Sequence, residues 1–135
     1  MILFFRGLCC DDMMVYFFKT ENKWVFKYFF EDKSLFRELA NYYDRSNYRF
    51  EMRSVPDREK VKVFLESKGF DVEIVEDTRD FLVRIPKNQK YATILKNSVA
   101  NWLENEWRVF LMKDKVSAEL AQMEEGAEKV PSKTN

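Results

Sequence analysis

An α+β fold is predicted by three features of the sequence: a mixed sheet of about five strands, helices packed on it and a long C-terminal helix. Aromatic and β-branched runs alternate with stretches whose apolar residues recur at spacings of three and four. Residues suited to capping flank those stretches. The 135 residues are 46% hydrophobic and include only three glycines and three prolines, so a real core is expected with few sharp turns.

The elements follow in the order ββαβαββα. MVYFFKT and KWVFKYFF flank Glu21-Asn22 and read as a hairpin. Both of its faces carry apolar side chains: Val15 and Phe17 oppose Phe18, and Trp24 and Phe26 oppose Val25. That pattern calls for burial on two sides. Leu35, Phe36, Leu39, Ala40 and Tyr43 then place a helix over about 33–44, with Asp32 or Ser34 as its cap.

NYRFEMRS alternates as a half-buried strand does, with Tyr48, Phe50 and Met52 inward and Arg49, Glu51 and Arg53 outward. The next helix has the fullest local code. Ser54 caps it, Pro56 sits in its first turn, and Val61, Phe64 and Leu65 form its buried stripe. Gly69 and Phe70 supply the left-handed stop and its apolar contact. FDVEIVEDTRDFLVRIP reads as a second hairpin about Asp77-Thr78, closed by Pro86.

From about Asn88 the spacing predicts one long helix, continuous or broken near Asn105. One stripe runs through Ile94, Leu95, Trp102 and Leu103, and a second through Val109, Met112, Val116, Leu120 and Met123. A helix of about 34 residues would span roughly 50 Å, longer than a small domain is wide. Its far end would therefore need a partner. The domain reading is an N-terminal extension over 1–12, one α+β domain over 13–115, a helical extension over 116–125 and a frayed tail over 126–135.

Composition narrows the function. Lys plus Arg equals Asp plus Glu, 23 against 23, which gives no long-range attraction to nucleic acid or an anionic membrane. Histidine is absent, which removes the usual neutral-pH base, the Ser-His and Cys-His pairs and the commonest metal ligand. Cys9 and Cys10 are adjacent, so they do not present the spaced thiolates of a zinc site or a redox loop. Glu73, Glu76, Asp77 and Asp80 cluster at a turn without the spacing of a calcium loop. The chain is thus read as a non-enzymatic cytosolic protein without cofactor or metal and without a membrane span.

The reading that remains is a self-associating binding module, a homodimer or a protein that docks another through its last helix. Trp107, Phe110, Met112, Val116, Leu120 and Met123 are the expected apolar anchors. Arg49, Arg53 and Arg84 are the outward arginines suited to an anionic ligand. The alternative is a nucleic-acid-binding module using Arg49, Arg53 and nearby basic residues, since residues 45–70 carry seven basic against four acidic side chains.

Overall fold

The computed structural model describes residues 13–131; the proposed extension 1–12, with Cys9 and Cys10, lies outside them. The chain falls into two compact units. Among the described residues, one takes in 13–44 and Arg49–Val75, the other Arg45–Tyr48 and 76–131. Each unit has its own sheet and core, and the class is α+β.

The first unit holds a five-stranded mixed sheet in the order β3-β4-β2-β1-β5. Its strands are β1 (Met14–Thr20), β2 (Lys23–Phe26), β3 (Tyr43–Asp44), β4 (Arg49–Met52) and β5 (Asp71–Val75). β1 and β2 form the expected hairpin, Glu21 taking a left-handed φ of 46° in its loop. The helix after Asp32 is shorter than expected: α1 covers Lys33–Glu38, and a 3-10 turn at Ala40–Tyr42 leads into β3. The Asp32 carboxylate caps α1 by accepting from the Ser34 N–H at 2.9 Å.

α2 (Val55–Ser67) follows its sequence code closely. The Ser54 hydroxyl accepts from the Asp57 N–H, and Pro56 lies in the first turn. At the other end Phe70 N–H donates to Leu65 C=O and Gly69 N–H to Glu66 C=O, with Gly69 at φ 96°. Those two bonds make a Schellman stop, which satisfies carbonyls the helix leaves open. The chain then returns to pair β5 parallel to β1, as a crossover helix permits.

The core of this unit is aromatic. Phe17, Phe26 and Phe50 stack in a row at 4.9 and 4.7 Å, and Val61 and Leu65 of α2 pack on the same cluster. Each such ring pair adds about 0.5–1.5 kcal/mol to area burial. Phe18, Val25 and Val75, on the sheet's other face, are buried too, so the two-sided burial read from the hairpin holds. Tyr48 departs from the alternation: it sits in the turn before β4 with φ 55° and is exposed.

The second unit corrects the sequence reading most. Its four-stranded sheet runs β7-β8-β6-β9, from β6 (Leu82–Pro86), β7 (Ser98–Glu104), β8 (Trp107–Met112) and β9 (Glu128–Lys129). β6 was expected to pair with β5 as a hairpin; it belongs to this other sheet. A 3-10 turn at Arg79–Phe81 intervenes, where Arg79 folds back on the Asp77 carboxylate. The long helix over 88–125 is absent. In its place stand α3 (Ala92–Lys96), the β7–β8 hairpin and α4 (Lys115–Ala121).

The physical reason is legible in β8. Val109 and Leu111 on one face and Phe110 and Met112 on the other are all buried, so the strand presents a continuous apolar run and no period of two. Such a run is not distinguishable from a buried helix by periodicity. Asn105 takes φ 59° in the loop between Glu104 and Trp107, a conformation asparagine tolerates better than most residues. Residues 126–131, read as frayed, contribute β9. Gly126, at φ 85°, reverses the chain so that Glu128 and Lys129 pair with β6.

Candidate interaction surface

α4 carries the outward apolar row that the sequence indicated. Asp114 caps it, accepting from the Ser117 N–H at 2.7 Å. Ser117, Ala118 and Ala121 turn inward, and the two alanines join Val83, Ile85, Ile94, Phe110 and Met112 in the core. With small residues on the inner face, the larger apolar side chains are left outside. Val116, Leu120 and Met123 are 53%, 59% and 81% exposed. Their spacing of four and then three puts them on one side of the helix and its last turn.

The remaining expected anchors do not join this row. Phe110 and Met112 are fully buried in the core of the second unit, which removes them as contact residues. The helical stripe that linked Met112 to Val116 was a coincidence of spacing, because Met112, like Phe110, sits on a strand. Trp107 is half-buried on β8, where the Arg84 guanidinium lies 3.9 Å over its ring. Arg84 also donates from Nε to Glu128 at 2.8 Å. A guanidinium held by an aromatic face and a carboxylate has its charge largely answered, so Arg84 is a weak candidate for a free anion.

Arg49 and Arg53 share one side of the β4 segment with Glu51 and converge on it, but only Arg53 is open to solvent: its side chain is 76% exposed and that of Arg49 12%. The Glu51 side chain is only 5% exposed and takes Arg49 at 2.9 Å, Arg53 at 3.1 Å and Lys23 at 3.3 Å. The alternation put Arg49, Glu51 and Arg53 on a water-facing side. That side is buried at Glu51 and nearly so at Arg49, because it also carries Val25, and the carboxylate answers the arginine charge there. This reduces what the cluster offers to a phosphate.

The acidic turn has a similar outcome. Arg79 clasps both oxygens of Asp77 and lowers its carboxyl to about 2. Among the described residues no group of three or more acidic or cysteine side chains is placed to hold a metal ion. Among them, too, no helix is long and apolar enough to cross a membrane.

Two residues read as part of an apolar helical stripe stand on a strand and are exposed. Trp102 and Leu103, on β7 at the sheet edge, are 40% and 57% exposed. The available signal was the resemblance of SVANWLENEWRVFLM to the first hairpin: Trp- and Val-bearing runs around an Asn-containing pair.

The cap of α4 makes a pH prediction. Burial pushes the Asp114 carboxyl up, but hydrogen bonds from Lys113 and Ser117 outweigh it, and the net shift is below 3.8. A depressed native value means the cap's contribution is complete above the ordinary value and is lost as pH falls through the lowered one. In acid titrations of the urea midpoint, wild type should lose stability below about pH 3.8 that Asp114→Asn does not lose, since Asn caps without titrating. Parallel curves would contradict this.

Comparison of the chain with protein-family models, with curated proteins and with solved structures finds no match.

Proposed function

We propose that this chain is a non-enzymatic cytosolic binding protein that associates with copies of itself, with the outward row of α4 as its contact surface. One observation carries the reading: Val116, Leu120 and Met123 stay exposed on an element whose other face is spent on the core. Three large apolar side chains at helical spacing suit a helix-to-helix contact across a twofold axis.

The expected affinity is modest. Complete burial of such side chains stabilises by about 1.5–3 kcal/mol each, so six across a twofold give at most roughly 9–18 kcal/mol gross. Association costs about 4–15 kcal/mol. The assembly is therefore weak and concentration-dependent. Leu120→Glu combined with Met123→Glu should lower the weight-average mass measured by light scattering at a fixed high concentration, with the circular dichroism spectrum unchanged. An unaltered mass would remove α4 as the contact.

A further inference from the structure

We propose that β7 is a second and independent self-contact, in which this edge of the four-stranded sheet, open among the described residues, pairs antiparallel with β7 of another copy about a twofold axis at Trp102. The argument begins with the sheet edges. A sheet edge presents unpaired backbone groups, and proteins blunt it by short strands, charge, proline or a bulge. β3 and β9 are two residues long, and β5 carries Asp71 and Glu73, like charges that oppose self-pairing. β7 is seven residues long; its one charged residue, Glu104, and its irregularity, between Ser98 and Ala100, lie towards its two ends and leave 101–103 unblunted. It also carries exposed Trp102 and Leu103.

The register follows from the hydrogen bonds. Pro86, which has no N–H, stands opposite Trp107, and Lys87 N–H donates to Glu106 C=O at 3.0 Å. Arg108 and Phe110 of β8 therefore bond towards β6, and Trp107 and Val109 towards β7. On β7 the partners Glu104 and Trp102 bond inward to β8, which turns the backbone groups of Leu103 and Asn101 to the open edge.

A twofold axis at Trp102 then pairs Asn101 with Leu103 of the other copy in both directions, making four backbone hydrogen bonds. The two Trp102 side chains meet at a non-hydrogen-bonded position, where Cα atoms come within about 4.5 Å and side chains are closest. The two Glu104 carboxylates lie four residues apart along the ladder, roughly 14 Å, beyond a Debye length of about 8 Å. An axis at Leu103 would instead bring them to about 7–8 Å. An axis at Asn101 would run the ladder into the irregularity between Ser98 and Ala100. Charge and bulge together select Trp102.

Backbone hydrogen exchange and directed cross-linking test this. In the 135-residue chain the Asn101 and Leu103 amides should exchange at least tenfold more slowly at high than at low protein concentration. The Trp102 amide, bonded to β8, should be slow at both. In a Cys9→Ser, Cys10→Ser background, Trp102→Cys should form an intermolecular disulfide on mild oxidation, at least tenfold faster than Leu103→Cys. Leu103→Lys should lower the assembly mass whether or not Leu120 and Met123 are replaced, which separates this contact from that of α4. Concentration-independent exchange at Asn101 and Leu103 would overturn the contact, and faster cross-linking at Leu103 would overturn the register.

Discussion

Phe110→Ala should destabilise the second unit by about 3–5 kcal/mol, the cost of removing a fully buried phenylalanine and leaving a cavity. Phe110 has no exposed surface and packs among Val83, Ile85, Ile94, Met112, Ala118 and Ala121. Its ring meets that of Tyr91 at 5.4 Å. It also pairs with Val83 on one side and Asn101 on the other, so it sits in a central strand. The helical reading makes the opposite forecast. As an anchor between subunits, Phe110 would leave the fold intact when truncated and would release monomer. Urea denaturation followed by circular dichroism separates the two: a strongly lowered midpoint supports the hairpin, and an unchanged midpoint with a lower mass supports a helix.

Glu51→Ala should cost a similar amount, about 3–5 kcal/mol, because it breaks a buried ion pair by removing one partner. Lys23, Arg49 and Arg53 converge on this nearly buried carboxylate from two strands. Glu51 takes the place opposite Val25 in the β2–β4 ladder, a position otherwise apolar. Glu51→Gln keeps one acceptor oxygen but brings an amide donor against cations, so it should fall between wild type and Ala. A surface ion pair is worth about 0–1 kcal/mol and is screened by salt; a loss for Glu51→Ala below about 1 kcal/mol would place Glu51 in that class and return the arginines to solvent.

Local codes were the legible part of this fold. Ser54, Pro56, Gly69 and Phe70 specify α2 through groups within one turn of its ends, and the first hairpin is marked by Glu21-Asn22 between aromatic runs. Partner choice was not legible. β5 pairs with β1 across more than fifty residues of sequence, and nothing in DVEIV distinguishes that neighbour from the strand that follows. The β7–β8 hairpin was hidden because β8 is apolar on both faces.

The interaction surface divides the same way. Val116, Leu120 and Met123 were readable because a true helical spacing carries them. Met112 was joined to them by spacing alone, and only the strand that it shares with Phe110 shows that both face inward. The engagement of Arg84 by Trp107 and Glu128 arises from sheet pairing and β9, neither of which the sequence had suggested.

Self-association is the central claim, and the mass of the 135-residue chain across a concentration series tests it most directly. Light scattering should give a weight-average mass that rises above the chain mass of 16.4 kDa as concentration increases. A mass that stays at the chain value over the whole range would contradict both the α4 contact and the β7 contact.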